Sequence, residues 1–321
     1  NRPCITGMGL ITPIGADLDT FWGALLEGRS GAGPVRSFDT SSLKRSIGCE
    51  IDGYAMPETI RPHVLGGRCT ELALLAAWSA VTDAGLDGAL AGRVDTAVVV
   101  GTTMGDVTRF EQDRAAHPEP EADVNDVSTL ANRPLDLMGR CIASMLGVGG
   151  QVVTVPAACA AGSYAIGVAA SLVARGRARI AVAVGCEAFS RLAFVGFARM
   201  HAMSSDVCRP FSLGRPGLLL GEGAGAVVIE PLEAAEARGA RPRAFVDGFG
   251  LSCDAHHVTG PHPEGAGATR AMREAIRRAG LNPDEVDYVN AHGTGTPLND
   301  KTESLAMRGV FGERTRRVPI S

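Results

Sequence analysis

Cys159 stands where a thiol could serve as a nucleophile. It follows an apolar run, Gln151–Val155 (QVVTV), and the turn Pro156-Ala157-Ala158. It precedes an apolar run of small residues, Ala160–Ala174, closed by Arg175-Gly176. The pattern predicts a buried strand, a tight turn and a helix. A helix N-terminus offers free N–H groups and partial positive charge. A thiolate is favoured at such a position, and the same N–H groups can hold the oxyanion of a tetrahedral thioester adduct. The flanking residues Ala157, Ala158, Ala160, Ala161 and Gly162 are all small, which leaves room for an acyl chain. The competing reading is a buried structural cysteine, because a single-cysteine motif carries little information alone.

A second constellation is Val289-Asn290-Ala291-His292-Gly293-Thr294-Gly295-Thr296-Pro297-Leu298-Asn299-Asp300. An apolar run delivers His292 into a loop of glycine and threonine. Glycine lets backbone approach a ligand closely, and the hydroxyls of Thr294 and Thr296 can bond an amide-bearing ligand. A histidine so placed can stabilise or move charge. The alternatives are a histidine that satisfies loop backbone, or a metal site with His256, His257 and His262. No ligand set shows zinc-type spacing, so no metal site is expected. His63, His117 and His201 read as ordinary residues.

Elements that could position these groups alternate along the chain. Cys4–Gly15 reads as a buried strand entering a glycine-rich loop. Asp17 or Asp19 is a candidate cap for a helix over Phe21–Leu26, with Gly28 at its end. Glu71–Ala84 has helical spacing closed by Gly85, and Asp95–Gly101 is an apolar strand for a sheet covered on both faces. Val107–Leu130 reads as loop with helix pieces. Ile180–Gly185, Ala224–Glu230, Phe245–Leu251 and Val286–Ala291 read as strands, and Gly267–Ala279 as a helix. The order around Cys159 implies a parallel pair with a right-handed crossover, and the whole an α/β class. The polar stretch Arg238–Arg243 marks a domain boundary.

Composition narrows the function classes. The 321 residues are 45% hydrophobic and 21% charged, enough for a large core divided between two domains. Gly 41 and Pro 18 follow no repeat, so collagen-like and disordered readings fail. The net charge of −4 is made of scattered signs, without a nucleic-acid footprint. Lys44 and Lys301 are the only lysines. Eight cysteines form no CxxC pair, which argues against zinc-ribbon and thioredoxin-type sites. No leader opens the chain, and no apolar run reaches the ~18 residues of a membrane span. A reducing cytoplasm is the expected location.

With these residues in view, the chain resembles the β-ketoacyl-acyl-carrier-protein synthases, in particular the type II elongating group and the type II polyketide ketosynthases. CITGMGLITPIG, VPAACAAGSYAIG, RPFSLGRPGLLLGEGAGAVVIE, DAHHVTGPHPEGAG and NAHGTGTPLNDKTE carry the likeness, in sequence order over nearly the whole chain. The resemblance implies a thiolase-like fold, layered αβαβα, from two similar α/β halves. Residues 1–242 would form the N-terminal half with the cysteine nucleophile, and 243–321 an incomplete C-terminal half. It implies that Cys159 takes an acyl group from a carrier protein and that a decarboxylated malonyl-carrier attacks it. His292 would then stabilise the enolate. The backbone N–H of Cys159 would form half the oxyanion hole. Thr294, Thr296 and Thr259 would hold the pantetheine arm. Met104 would gate the acyl pocket, Phe197 would line it, and Glu303 would organise the active-site network. No resident cofactor is implied, since the acyl groups travel on phosphopantetheine. The implied partners are acyl carrier protein and either a second copy or a chain-length-factor-like subunit.

The chain departs from the family pattern in places. It stops at Arg317-Val318-Pro319-Ile320-Ser321, so the family's catalytic lysine and second histidine are expected beyond Ser321 in a longer chain. The turn reads Ala-Cys-Ala-Ala-Gly rather than a serine-rich version, and Gly214-Arg215-Pro216-Gly217-Leu218 replaces Arg-Asp-Gly-Phe. Competing classes are a non-catalytic chain-length-factor-type subunit, which normally lacks the cysteine, and a thiolase acting on coenzyme A esters. Fatty-acid and polyketide or polyene pathways both stay open.

Overall fold

The computed structural model describes residues 1–116 and 136–321. The loop expected over residues 117–130 lies outside the described residues, as does His117. The preceding Val107–Ala116 is helical. By internal contacts the chain divides into two units, one of Asn1–Gly33, Cys49–Phe194 and Gly221–Val246, the other of Pro34–Gly48, Val195–Leu220 and Asp247–Ser321.

The first unit is built on a six-stranded mixed sheet. Its strands are β1 (Pro3–Ile11), β2 (Thr96–Gly101), β3 (Val152–Val155), β4 (Ile180–Glu187), β5 (Gly223–Pro231) and β6 (Ala244–Phe245), arranged β3-β2-β4-β5-β1-β6. β2 runs parallel to both β3 and β4, so the strands flanking the Cys159 helix are parallel with β2 between them. The β4–β5, β5–β1 and β1–β6 pairs are antiparallel.

The continuous apolar run of β2 has a simple cause, because every residue from Thr96 to Gly101 is buried. Val98 and Val100 join a core with helices α2 (Arg68–Asp83) and α4 (Leu137–Leu146). Ala97 and Val99 join another with α5 (Ala161–Ala174). Alternate residues thus meet opposite helical layers, and both layers must be apolar. Of the smaller helices, α1 (Leu18–Leu26) is capped by Asp17, whose carboxylate accepts the Thr20 N–H, and α3 is Val107–Ala116. Glu222 is buried in this unit. It accepts hydrogen bonds from Ile51 N and Phe189 N at 2.8 and 3.1 Å, and from Arg68 Nη2 and Nε at 2.6 and 3.0 Å.

In the second unit, helix α7 (Ala266–Ala279) packs on α8 (Pro297–Phe311). Helix α6 (Arg191–Arg199) begins in the first unit, and its residues from Val195 on, Phe197 among them, belong to the second. Two expected strands are shorter than predicted. Phe245–Leu251 pairs only over Ala244–Phe245, because the residues that follow find no ladder partner among the described residues. Val286–Ala291 reduces to a parallel bridge from Val289 to Ile320, with Ala291 N donating to Ser321 O at 2.8 Å. Extended backbone counts as strand only where a neighbour takes its N–H and C=O groups.

The two units repeat one packing device. A methyl group added at Gly7 or Gly9 of β1 would lie 2.2 Å from Ala80 O or 2.4 Å from Ala76 O, on the backbone of α2. One added at Gly248 or Gly250 would lie 2.3 Å from Ala275 O or 1.9 Å from Ala271 O, on the backbone of α7. Gly7-Met8-Gly9-Leu10 therefore corresponds to Gly248-Phe249-Gly250-Leu251. Ala76, Ala80, Ala84, Gly85 and Leu86 correspond to Ala271, Ala275, Ala279, Gly280 and Leu281. Gly85 and Gly280 both take positive φ, at 65° and 70°. After each helix comes Val-Asp (Val94-Asp95, Val286-Asp287) and, at equal spacing, Gly-Thr (Gly101-Thr102, Gly293-Thr294). The repeat supports a thiolase-like fold of two similar α/β halves, while the two units interleave along the chain rather than dividing at residue 242.

Candidate active site

Cys159 is exposed, in a turn of 3-10 helix over Ala158–Ala160 that leads directly into α5. The helix therefore opens one residue later than the apolar pattern suggests. Ala158 adopts φ of 48°, a left-handed conformation uncommon for a residue with a side chain, so the chain bends sharply just before Cys159. Two glycines let α5 reach the sheet. Gly101 and Gly185 are register partners on β2 and β4. A methyl at Gly101 would lie 2.1 Å from Ala161 O, and one at Gly185 would lie 3.0 Å from Gly162 Cα. The first turn of α5 is thus seated on bare backbone at the ends of two central strands.

The other cysteines have different surroundings. Cys4, Cys69, Cys141 and Cys186 are buried. Hydrogen bonding to Cys186 and then burial push the Cys69 thiol well up, and burial pushes up Cys4 and Cys141. Burial also raises Cys208, against a hydrogen bond from the Leu219 backbone, and its thiol donates to Thr294 O at 3.4 Å. Cys253 is exposed but lies in an irregular loop rather than at a helix start.

Met104 follows the end of β2. Glu187, the last residue of β4, holds this loop. Its carboxylate accepts Thr103 N at 2.8 Å, Met104 N at 2.9 Å and Thr102 Oγ1 at 3.3 Å, while Gly105 N donates to Thr102 Oγ1 at 3.1 Å. Glu187 was not singled out in the sequence. An acid closing a buried strand directly after a run of small and apolar residues is the signal that could have found it.

His292, Thr294, Thr296 and Glu303 come together in the second unit. Glu303, from the second turn of α8, accepts His292 N at 2.7 Å and Gly293 N at 3.0 Å, and Asn299 Nδ2 at 3.3 Å. Its carboxylate thereby fixes the backbone that bears the imidazole, a charge-assisted arrangement stronger than neutral bonding. The Thr294 and Thr296 hydroxyls lie 2.8 Å apart and bond to one another. Gly293 and Gly295 have φ of 50° and 71°, where a side chain would be strained.

The Gly214–Leu218 departure from the family pattern takes a structural role beside this loop. Asp300 is buried and accepts Gly295 N at 3.2 Å and Phe211 N at 2.7 Å. Arg215 Nε lies 3.7 Å from Asp300, and its Nη2 donates to Pro297 O at 3.1 Å. Gly217, at φ of 136°, fits against Ala202 O and Met203, where a methyl would collide at 2.4 Å. The sequence names both residues but not their pairing, because 85 positions separate Arg215 from Asp300.

Thr259 and Phe197 stand apart from this loop. Thr259 is exposed in an irregular segment, where its N–H donates to His257 Nδ1 at 3.1 Å, as does Gly260 N at 3.0 Å. Phe197 is half-buried on α6, and its carbonyl accepts Ala202 N at 3.2 Å. The rings of His256 and His262 lie 5.1 Å apart, yet among the described residues no cluster of three or more His, Cys, Asp or Glu could hold a metal ion. No helix among them is long and apolar enough to cross a membrane.

A layered α/β fold with a cysteine at a helix opening and a His-Gly-Thr-Gly-Thr loop defines a thiolase-like condensing enzyme. The family description "Beta-ketoacyl synthase, N-terminal domain" matches residues 1–235, and "Beta-ketoacyl synthase, C-terminal domain" matches residues 243–321. The chain belongs to the β-ketoacyl synthase family. It is 34% identical over 329 residues to a 3-oxoacyl-[acyl-carrier-protein] synthase 2 of Synechocystis sp., covering 100% of this chain and 79% of the relative. A solved structure described as the ishigamide ketosynthase/chain length factor superposes with a TM-score of 0.87 at 38% identity, covering 97% of this chain and 78% of that one. Another, a type II polyketide acyl-carrier protein in complex with its ketosynthase bound to the hexaketide, superposes with a TM-score of 0.87 at 27% identity, over 99% and 80%.

Proposed function

We propose that this protein catalyses a decarboxylative Claisen condensation between an acyl group carried on Cys159 and malonyl-acyl-carrier protein. The observation that carries the reading is the exposed Cys159 sulfur at the opening of α5. In the first stage the Cys159 thiolate attacks the acyl thioester of the carrier, a new C–S bond forms, the old one breaks, and the phosphopantetheine sulfur leaves as a thiolate. The Cys159 N–H and the helix opening stabilise the tetrahedral oxyanion. In the second stage malonyl-carrier loses carbon dioxide, and the electron pair of the broken C–C bond forms an enolate. Neutral His292 donates a hydrogen bond to the enolate oxygen. The enolate carbon attacks the Cys159 thioester, and the C–S bond breaks to release β-ketoacyl-carrier protein and the thiolate. Thr294, Thr296 and Thr259 hold the pantetheine arm, and Met104 and Phe197 shape the acyl pocket.

The substrates bring their own phosphopantetheine, so no resident cofactor or metal is part of the proposal. The partners are acyl carrier protein and either a second copy or a chain-length-factor-like subunit. The structures of relatives described with a carrier protein and with a chain length factor support both. We place the protein in a reducing cytoplasm, where cysteines stay as thiols; no disulfide forms among the described residues.

The test is to present acyl-carrier protein and then malonyl-carrier protein, following the protein by intact mass and the product by chromatography. The expected result is an acyl adduct on the Cys159 peptide, resolved to β-ketoacyl product only after malonyl-carrier is added. Cys159→Ala should lose both. Absence of the adduct would favour a non-catalytic partner subunit, and preference for acetyl-coenzyme A as extender would favour a thiolase.

A further inference from the structure

The loop that carries Met104 leaves the sheet beside the nucleophile. Gly101, the last residue of β2, meets Ala161 O at the first turn of the helix behind Cys159, and Thr102-Thr103-Met104-Gly105 follows immediately. A side chain here can lie along an acyl group bound to Cys159. Two consecutive N–H groups at a strand end need acceptors when they leave the ladder. Both point at one carboxylate, Glu187, with the Thr102 hydroxyl as a third donor. The Thr102 hydroxyl in turn accepts from Gly105 N, which ties the far end of the same loop to the same point. Thr102 itself is 3% exposed, so water competes poorly for the bonds of its hydroxyl, while Thr103 lies at the surface.

The helix that follows is tethered as well. Glu111 of α3 accepts Arg191 N and Leu192 N, at 3.2 and 2.6 Å, and so caps the start of α6. The position of Met104 is thus set at the near end by Glu187, and the element after the loop is anchored in turn. In the second unit Glu303 likewise accepts two consecutive N–H groups, those of His292 and Gly293.

We propose that Glu187 is a positioning and specificity-determining residue, which fixes the Met104 loop and thereby sets which acyl lengths Cys159 accepts. The proposal rests on the reading of Cys159 as the acyl-carrying residue. Glu187 touches no reacting atom and acts through the backbone of Thr103 and Met104. Three donors on one carboxylate make the loop stiff, and a stiff loop discriminates by size where a loose one yields.

The experiment measures acylation of Cys159 by a ladder of straight-chain acyl-carrier proteins, short to long, for the wild type, Glu187→Gln, Glu187→Ala and Met104→Ala. It reads the ratio of long-chain to short-chain acylation rates by intact mass. Amide hydrogen exchange over residues 101–106 is measured alongside, without substrate. Glu187→Gln turns one acceptor into a donor facing an N–H. It should shift the ratio by about tenfold in the direction of Met104→Ala, a size typical of pocket discrimination, and lose protection at Thr103 and Met104. Should Glu187→Gln not fold, Glu187→Asp, which keeps the charge but shortens the reach, carries the same expectation. A ratio unchanged within about twofold while Met104→Ala shifts it, or unchanged protection, overturns the role of Glu187 and leaves the nucleophile assignment standing. Failure of the wild type to acylate Cys159 at all overturns both.

Discussion

Gly101 and Gly185 lie opposite one another in the β2–β4 ladder, and both abut the first turn of the helix that follows Cys159. The seating of the helix that opens behind Cys159 is therefore decided by two missing side chains. Gly101→Ala should destabilise the protein by about 1–3 kcal/mol through overpacking, since its methyl would meet Ala161 O at 2.1 Å. Urea denaturation measures the loss, and slower iodoacetamide modification of Cys159 reports the displaced helix. Unchanged stability would refute the seating described here.

Cysteine labelling should separate the sites. At neutral pH iodoacetamide should reach Cys159 and Cys253, both exposed, before Cys69, Cys141 and Cys208, whose thiols burial or sulfur bonding pushes up from 9.0. A thiol raised by folding stays protonated in the native state while its unfolded counterpart ionises. The stability it contributes is therefore complete below about pH 9 and is lost as pH rises further. Tyr54, pushed up to about 12 by burial and by its bond to Glu71, acts in the same sense from its ordinary 10.0 upward. The urea midpoint should hold steady below pH 9 and fall above it; a midpoint rising with pH there would contradict these shifts.

Glu222→Ala should cost about 3–5 kcal/mol, because it leaves Arg68 without its buried partner and strips the Ile51 and Phe189 N–H groups of their acceptor. Glu222→Gln should cost less. Thermal melting of the two variants checks the order, and equal melting temperatures would show that the charge contributes little.

His292→Ala should lower condensation about 10²- to 10⁴-fold, the usual range for removing a positioned proton donor, while leaving an acyl adduct on Cys159. Glu303→Gln should lower it about 10- to 100-fold, the size of one or two lost charge-assisted hydrogen bonds, by releasing His292 N and Gly293 N. Adduct mass and product formation, measured in the same reactions, separate the two stages. Loss of the adduct itself in His292→Ala would move that residue to the first stage.

Much of the site could be read in one dimension, because its chemistry is local. The strand, turn and helix around Cys159 are contiguous, and so are the glycines and threonines after His292. Small residues, apolar period and turn chemistry act over a few positions, and each leaves its mark there. The internal repeat was also written in the chain, as Gly-x-Gly-Leu before an alanine every fourth residue. It is faint in one dimension because its halves share few residues beyond those that let a strand touch a helix backbone.

What the folded chain alone decided are the long-range partners. Glu187 finds Thr103 and Met104 across 84 and 83 positions, and Arg215 finds Asp300 across 85. A carboxylate's preference for N–H donors says that it needs partners, not which ones. Strand order selects them, by bringing the end of β4 beside the end of β2. The extent of the Phe245 and Val286 segments was decided in the same way, since apolar residues favour extended backbone but only a neighbouring chain turns it into a ladder.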